Sequence, residues 1–212
     1  MQRLAILGAS GHGKAVAEVA ELCGWQEIHF YDDDWLSPKG AMPWPVLGDT
    51  NGLLENIANY DGIIVAIGNN VVRYGRSLFL SESGGRLVTL VHPRAIVSSY
   101  AQIAPGCVVM AGAIVNPFAK IGFATIINTA ATIDHDCLLG QGIHVSPGAN
   151  LAGGVTVGDL SWIGIGASVK QCVAIGRQVI VGAGAVVVSH IADGLTVVGV
   201  PAKAIDSRIS IC

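Results

Sequence analysis

The residues best suited to acid–base chemistry are three consecutive side chains, Asp134, His135 and Asp136. A neutral imidazole can take up a proton near pH 7, because its unperturbed pKa is about 6.5. A neighbouring carboxylate can orient the ring and favour the imidazolium that forms, and either Asp134 or Asp136 could fill this role. The triplet makes His135 a candidate general base. The competing interpretation is an exposed turn histidine without any function.

A second group of candidate residues is the glycine-rich segment Gly8-Ala9-Ser10-Gly11-His12-Gly13. It follows a short apolar run and precedes an amphipathic stretch, which predicts a strand, a tight turn and a helix. Backbone N–H groups at such a turn and at the helix N-terminus can bind a diphosphate. The order of glycines differs from the dinucleotide fingerprint G-x-G-x-x-G, so NAD is not expected. A tight turn without a ligand is the alternative.

The elements around this segment predict a small α/β fold for residues 1–86. Three apolar runs have the length of buried strands: 3–7, 27–31 and 62–67. Two further stretches have helical periodicity: 14–23 and 71–83. Three prolines make 37–45 a loop. The alternation predicts a doubly wound, Rossmann-like parallel sheet, and ligands of such sheets collect at the carboxyl ends of the strands, where Asp32, Asp33 and Asn69 are expected.

From Val91 onward the sequence repeats with a period of six. Every sixth residue is Ile, Leu or Val, seventeen times in succession: 91, 97, 103, 109, 115, 121, 127, 133, 139, 145, 151, 157, 163, 169, 175, 181 and 187. Glycine directly follows several of these residues, at 122, 140, 158, 164, 176 and 182. Such fixed self-similarity is typical of a solenoid. A helix would need a period of 3.6, and a β-sandwich would alternate with a period of two.

We interpret each hexapeptide as one short strand on a three-sided prism. The aliphatic residue fills the interior, while glycine and other small residues let the chain bend at the corner. Three hexapeptides complete one coil, so seventeen predict five to six coils of parallel β-helix, assigned to residues 87–212. The repeat alone leaves the handedness open, and the general rule for β-crossovers favours a right-handed coil.

Composition argues against several other classes of protein. The net charge of −3 and the lack of a Lys/Arg run argue against binding to nucleic acid or to an anionic membrane surface. No window approaches the ~20 apolar residues of a membrane span. The five cysteines are odd in number and form no C-x-x-C pair, so neither a disulfide framework nor a zinc site is expected. Reduced thiols in the cytoplasm fit best.

Two features carry a resemblance to known proteins. The hexapeptide register resembles the left-handed β-helix acyltransferases, which implies left-handed coils and a homotrimer with active sites between neighbouring prisms. Four further segments, in their order and spacing, resemble the sialic-acid O-acetyltransferase family, and in particular its PglD-like bacterial members that N-acetylate UDP-linked 4-amino-sugars: 8–14, 67–70, 128–137 and 144–149. The resemblance extends to 199–203, which is nearly the whole chain.

The resemblance implies an acetyl-CoA-dependent N-acetyltransferase that acts on the 4-amino group of a nucleotide-linked amino-deoxy-sugar in surface glycan biosynthesis. Such a reaction needs a base for the ammonium and stabilisation of a tetrahedral oxyanion. By resemblance, His135 is the base and Asp136 orients it. Asn128 is expected near the sugar amine, His144 near the thioester, and the Gly153 backbone N–H at the thioester oxygen. As alternatives, these three could be a bridging corner asparagine, an exposed rung residue and a corner glycine.

The same resemblance assigns the ligand contacts. The expected contacts of the nucleotide-sugar are Gly11, His12 and Gly13 at the diphosphate, Asp32 or Asp33 at the base or ribose, and Asn69 at the same edge. The further contacts expected for acetyl-CoA are Gly164, Ile165 and Gly182 at the pantetheine arm, and Lys203 at the phosphates. These glycines could equally be coil corners without a ligand. No metal is expected.

Three other functions remain open at this point. O-acetylation of sialic acid would need no nucleotide pocket. A metalloenzyme such as a β-helix carbonic anhydrase would need three histidines with two of them close in sequence, whereas His135 and His144, the nearest pair here, are nine residues apart. The third is a non-catalytic solenoid that only forms trimers.

Overall fold

The computed structural model describes residues 2–37, 40 and 42–205. Residues 38, 39 and 41, which belong to the predicted loop, lie outside the described residues. Residues 206–212, which include Cys212 and end the predicted second domain, also lie outside them. The division of the chain into domains at residue 86 therefore stays a prediction, and the two parts are described below by their elements.

A three-stranded parallel sheet forms the N-terminal layer. Its strands are β1 (Arg3–Leu7), β2 (Glu27–Tyr31) and β3 (Gly62–Val65), in the order β2-β1-β3. Its helices are α1 (Gly11–Leu22), α2 (Thr50–Glu55) and α3 (Asn70–Glu82), with one 3₁₀ turn at Ile57–Asn59. The Rossmann-like prediction is confirmed. Two details differ: α1 begins three residues earlier than predicted, and the sequence analysis missed α2, which is capped by the Asp49 side chain accepting from Gly52 N–H at 2.9 Å.

Alternate residues of the strands pack against opposite sides of this sheet. Ala5, Leu7 and Val65 face Leu53 of α2 and Leu80 of α3. On the other side, the sheet and α1 share one buried cluster with three solenoid residues: Leu90, Val108 and Met110. Because these three are buried against the sheet, apolar packing fixes the N-terminal layer onto the first coils of the solenoid.

The rest of the described chain is a parallel β-solenoid with three faces. The first face carries Leu90–Val91, Val108–Val109, Ile126–Ile127, His144–Val145, Trp162–Ile163, Ile180–Val181, Thr196–Val198 and Lys203–Ile205. The second face carries Ile96–Val97, Ile114–Val115, Thr132–Ile133, Asn150–Leu151, Ser168–Val169 and Val186–Val187. The third face carries Gln102–Ile103, Lys120–Ile121, Leu138–Leu139, Thr156–Val157 and Ala174–Ile175. Only the last strand of the first face pairs antiparallel.

The three corners between these faces are named here by the coil that contains His135. The first corner is 128–131, the second corner 134–137 and the third corner 140–143, and each recurs every 18 residues because strands 18 residues apart pair in register. The predicted register is confirmed, since all fourteen aliphatic positions from Val109 to Val187 are buried. The three in the first coil are half-buried, because no coil lies beneath them.

The repeat glycines have a different role from the predicted one. The left-handed backbone conformation of each turn falls three residues before the aliphatic position, at Gly142 and also at Asp136 (φ 59°). The glycines that follow the aliphatic residues instead lie against the next coil, and a Cβ on Gly158 would come 2.6 Å from the backbone nitrogen of Arg177. These glycines therefore permit close stacking of coils and do not make the bend.

Leu138 and Leu139 form a matched pair on one strand of the third face. Leu139 points into the prism and is 5% exposed, while Leu138 points outward and is 45% exposed. We expect Leu139→Ala to lower the free energy of unfolding by about 2–5 kcal/mol, because it leaves a cavity in the interior. Leu138→Ala should change it by only about 0.5 kcal/mol. Urea unfolding of both variants measures the difference, and equal losses would contradict the assigned register.

Candidate active site

His135 lies in the second corner, directly after the strand Thr132–Ile133. Its Nδ1 is 2.8 Å from Asp136 Oδ2, and the two side chains are 60% and 63% exposed. The hydrogen bond to Asp136, and then the charge of Asp134, raise the pKa of His135 above its ordinary value. Because a carboxylate can only accept, the proton of the neutral ring lies on Nδ1. Nε2 is then the basic atom, and Asp136 is the carboxylate that orients it.

Asp134, the other carboxylate of the triplet, anchors the turn. It accepts hydrogen bonds from Asn116 Nδ2 at 2.8 Å and from the His135 backbone N–H at 2.7 Å. Chiefly the bond from Asn116, followed by that from the His135 backbone, lowers the pKa of Asp134, and the Gly153 backbone N–H contributes as well. Asp134 therefore stays ionised and fixes the backbone from which the His135 ring projects.

Gly153 lies one coil after His135, directly against its ring. A Cβ at this position would come 2.5 Å from His135 Nε2, so a larger residue would displace the imidazole. The Gly153 N–H faces the Asp134 carboxylate. The contact with His135 is the role that the geometry gives to Gly153, and the predicted donation of its N–H to a thioester oxygen stays a prediction.

A second cluster lies at the first corner around His144. Asn128 Oδ1 accepts from the Thr129 backbone N–H at 2.8 Å, so its Nδ2 faces His144 Nε2, 2.9 Å away. Trp162, one coil further on, lies against the His144 ring with 4.3 Å between centroids. His144 is only 7% exposed, so the alternative of an exposed rung residue is wrong. Since Nε2 accepts from Asn128, the ring proton of neutral His144 lies on Nδ1.

The environment of this cluster keeps two imidazoles uncharged. Burial, followed by the charge of Arg73, lowers the pKa of His144 to about 3 and that of His12 to about 4. The two rings are 6.4 Å apart. His144 Nδ1 and His12 Nε2 are both buried without a hydrogen-bond partner among the described residues. A buried polar atom of this kind is costly unless something bonds to it, so both nitrogens are candidates for ligand contacts.

A cavity of about 600 Å³ lies beside this cluster, between the start of α3 and the first-face strands Trp162–Ile163 and Ile180–Val181. Its walls bring together four predicted contacts: Asn69, Gly164, Ile165 and Gly182. Trp162 also lines it. Lys203 is exposed on the last strand of the first face and pairs with Val198, which a Cβ on Gly182 would touch. The residues expected at the pantetheine arm and the phosphates of acetyl-CoA thus follow the first face of the solenoid, whereas Gly153 lies at the second corner.

The glycine-rich loop meets the first turn of α1. Ser10 is the N-cap but its side chain makes no capping hydrogen bond, and the first turn contains no acidic residue. Gly11 is exposed, while Gly13 packs so closely on the Gly8 carbonyl that no side chain would fit. The first turn of α1 therefore offers backbone N–H groups and a partial positive charge with no acidic residue of its own, which suits an anion site.

Asp32 and Asp33 both make hydrogen bonds within the chain. Asp32 accepts from the Ala9 backbone N–H at 2.7 Å and from the Asp34 N–H at 2.9 Å. Asp33 accepts from the Thr50 N–H at 3.0 Å and pairs with Arg76 at 2.7 Å. Both carboxylates therefore hold protein segments together, and Asp32 supports the glycine-rich loop. Direct contact of either with a base or ribose stays a prediction.

The predicted site residues thus fall into two groups at opposite edges of the second face. Asn128, His144 and the cavity lie at the first corner, whereas His135 and Asp136 lie at the second. Six extended residues separate these edges, roughly 20 Å at about 3.3 Å per residue. No hydrogen bond or ring contact joins the two groups within the described residues. The same described part of the chain holds no cluster of metal-ligating side chains and no helix that could span a membrane.

Three residues of this region were not predicted from the sequence. Trp162 had a detectable sign, because it lies one 18-residue coil after His144 on the same face. Asn70 and Arg73 of α3 are buried, being 6% and 1% exposed. An arginine in an amphipathic helix is ordinarily solvated, so nothing in its spacing marks Arg73.

Comparisons with known proteins assign the chain to a family. Residues 3–75 match the model of the PglD N-terminal domain. A curated UDP-N-acetylbacillosamine N-acetyltransferase of Bacillus subtilis (strain 168) is 36% identical over 117 residues, so the match spans about half the length of that relative, 52% of each chain. The acetyltransferase domain of PglB from Neisseria gonorrhoeae FA1090, solved with acetyl coenzyme A, is 44% identical with a TM-score of 0.92 and matches across 96% of this chain and 99% of that one.

The chain belongs to the PglD-like family of acetyltransferases. PerB from Caulobacter crescentus, solved with CoA and GDP-perosamine, supports the same assignment, with 38% identity, a TM-score of 0.92 and coverage of 97% of this chain and 98% of that one. The PglD-like architecture is a small parallel sheet followed by a left-handed β-helix. The expectation drawn from the resemblance is therefore confirmed, and the right-handed coil favoured by the general crossover rule is wrong here.

The three histidines of the two groups should titrate differently. We expect His135 to titrate above pH 6.5, because Asp136 favours its charged form. His12 and His144 should remain neutral down to about pH 5, because their pKa values lie near 4 and 3. Imidazole ¹⁵N shifts recorded by NMR from pH 5 to 8 measure all three.

The control for this titration is Asp136→Asn, which should bring the pKa of His135 back towards its ordinary value. It should leave His12 and His144 unchanged, since both belong to the first-corner cluster. Protonation of His144 near pH 6, or a His135 pKa that does not respond to loss of the Asp136 carboxylate, would contradict the electrostatics described here.

Proposed function

We propose that this chain transfers the acetyl group of acetyl-CoA to the 4-amino group of a nucleotide-linked amino-sugar, with His135 as general base. The observation that carries the proposal is the His135–Asp136 pair: an exposed imidazole whose Nδ1 is held at 2.8 Å by a carboxylate, so that Nε2 faces outward as a base. The membership of a PglD-like family supplies the acetyl donor, since PglB and PerB were solved with acetyl-CoA and CoA.

The reaction follows from the chemistry of amines and thioesters. His135 Nε2 takes a proton from the sugar ammonium, and the freed amine lone pair attacks the thioester carbonyl carbon. The tetrahedral intermediate then collapses, the carbon–sulfur bond breaks, and the CoA thiolate leaves. The protonated imidazole returns its proton to this sulfur, and the acylated nitrogen loses its surplus proton to solvent, so that an amide, free CoA and one proton are the products. Asp136 stabilises the imidazolium between these two transfers.

His144 is suited to the oxyanion of this intermediate. Its ring stays neutral, and its Nδ1 proton is buried with no acceptor in the part of the chain that the structure describes. A preorganised donor in a site shielded from water stabilises developing negative charge more strongly than one in water. We therefore assign the contact with the thioester oxygen to His144, in addition to the role that the resemblance implies for Gly153.

The nucleotide-sugar is assigned to the N-terminal layer. Neither α1 nor α3 has an acidic residue in its first turn, and both begin at the carboxyl edge of the sheet. Two positive helix ends and the glycine-rich loop form a suitable site for a diphosphate. PerB was solved with GDP-perosamine and the B. subtilis relative is named for a UDP-sugar, so UDP and GDP are both candidates here.

A homotrimer would bring the two groups of site residues together. The outward side chains of the second-face strands carry no charge: Ile96, Ile114, Thr132, Asn150, Ser168 and Val186. An uncharged, flat face can pack against a second copy without burying unpaired ions. We infer that a neighbouring copy packs here, so that His135 of one copy reaches the cavity of the next. The four described cysteines are free thiols, which agrees with a cytoplasmic reaction in surface glycan synthesis.

The test is release of CoA thiol from acetyl-CoA, measured with UDP-, GDP- and dTDP-linked 4-amino-sugars and with free sialic acid. We expect turnover with one nucleotide class. His135→Ala should lower kcat by roughly 10²- to 10⁴-fold, because the general base is lost. The rate should rise with pH through a pKa above 6.5, since only neutral His135 accepts a proton and Asp136 raises its pKa.

His92→Ala is the matched control, because this histidine also lies in a solenoid turn but belongs to neither group of site residues. It should retain wild-type turnover. Turnover with sialic acid alone would favour O-acetylation and contradict the proposal. Full activity of His135→Ala on an amino-sugar would remove His135 from the mechanism.

A further inference from the structure

Arg73 is the largest fully buried side chain of the described residues, and it lies where the N-terminal layer meets the solenoid. Its guanidinium donates to acceptors on both parts of the chain. On the N-terminal side the acceptors are Ile67 O at 3.0 Å, Gly68 O at 2.9 Å and Asn70 Oδ1 at 2.8 Å. On the solenoid they are Ala124 O at 2.8 Å, Gly142 O at 2.9 Å and Ile143 O at 3.1 Å.

Asn70 extends this network by one coil. Its Nδ2 donates to Leu160 O at 3.1 Å and to Ser161 O at 3.0 Å. Arg73 and Asn70 therefore bind three successive turns of the third corner. All of these acceptors are uncharged, so the guanidinium is held by geometry and not by an ion pair. The guanidinium has five N–H donors in a fixed plane for these six acceptors, so one N–H of Nη2 is shared between two of them.

The segment 67–70, held by this network, is also part of the candidate site. Gly68, Asn69 and Asn70 line the 600 Å³ cavity, opposite Gly164 and Gly182 of the solenoid. The Asn69 side chain caps α3 by accepting from the Val72 N–H at 3.1 Å. The network thus sets the distance between residues assigned to the nucleotide-sugar and residues assigned to acetyl-CoA.

We propose that Arg73 is a positioning residue that fixes the 67–70 loop, and with it the nucleotide-sugar, relative to the acetyl-CoA face of the solenoid. The inference rests on the proposed function, because it places the two substrates on different parts of the chain. The charge of Arg73 has a second effect in the same place, since it contributes to the low pKa values of His12 and His144.

Lysine cannot replace arginine in this role. Its ammonium has three donors on a flexible stem and cannot span six acceptors on two parts of the chain, although it keeps the charge. Arg73→Lys therefore separates the hydrogen-bond geometry from the charge. Arg73→Met removes both. Arg86→Met is the matched control, because Arg86 is exposed just after α3 and outside the candidate site.

The experiment measures steady-state kinetics with the nucleotide-sugar, and CoA binding by calorimetry, on the intact protein. We expect Arg73→Lys and Arg73→Met to lower kcat/KM for the nucleotide-sugar by roughly 30- to 100-fold, because small displacements of a bound substrate are costly. The Kd for CoA should change by less than about threefold, since its assigned contacts lie on the solenoid. Arg86→Met should behave as wild type in both.

A merely structural role would give a different result: kcat would fall with the folded fraction, while the KM for the nucleotide-sugar and the Kd for CoA would be unchanged. That outcome, or wild-type kinetics of Arg73→Lys, would overturn the proposal. If neither Arg73 variant folds, Asn70→Ala is the second variant. It should lower kcat/KM for the nucleotide-sugar by a smaller factor and leave the Kd for CoA unchanged. An unchanged KM for the nucleotide-sugar would contradict the proposal.

Failure of the proposed function is recognised separately, by lack of turnover in the wild-type protein. In that case hydrogen exchange tests the network alone. Backbone amides of 71–74 should exchange at least tenfold faster in Arg73→Lys than in wild type, whereas Arg86→Met should leave them unchanged. Equal exchange in Arg73→Lys and wild type would show that the guanidinium does not hold this segment.

Discussion

The stacking of coils at an 18-residue interval is the constraint on which the rest of the structure depends. Aliphatic side chains fill the prism, and backbone hydrogen bonds join each coil to the next, so a residue meets its partner one coil away. Asn116 bonds to Asp134, Thr132 to Asn150, and His144 lies against Trp162 by this rule. Residues seven positions apart, such as Asn128 and His135, are placed at different corners by the same rule.

The stacked coils also place two histidines in different environments, which gives them different chemistry. His135 projects from a corner into solvent, where a carboxylate raises its pKa and leaves a basic nitrogen exposed. His144 is covered by the N-terminal layer and Trp162, where burial keeps it neutral, with its proton on Nδ1. One imidazole is therefore suited to accept a proton, and the other to donate a hydrogen bond. Both roles follow from position alone.

The solenoid could be predicted from the sequence because the constraint on its interior positions is periodic. Interior positions must be aliphatic and recur every six residues, so the register could be predicted to the residue. The triplet at His135 could also be predicted, because its three residues are consecutive in the sequence. The turn geometry was not predictable in the same way: Asp136 occupies the left-handed position that was attributed to glycine, and Phe118 and Leu160 occupy the same position in other turns, because coil stacking holds the backbone there whatever the side chain.

Properties that depend on packing between the two parts of the chain were beyond sequence reasoning. His144 was expected to be exposed in its alternative role, yet the N-terminal layer covers it. Asp32 and Asp33 were assigned to a ligand, yet backbone amides from Ala9 and Thr50 reach them first. Arg73 has no sequence sign, since its acceptors are carbonyls up to 70 residues away. Such partners are known only once the layers are docked.

The central claim is that one active site is built from the second corner of one copy and the first corner of another. Subunit complementation tests it most directly: His135→Ala and His144→Ala chains, each inactive alone, are co-expressed with different tags and the mixed oligomers are purified. If the site lies between copies, one of the three seams in each mixed trimer joins an intact His135 to an intact His144, and activity returns to about one third of wild type. Mixed oligomers as inactive as the separate variants would contradict the account.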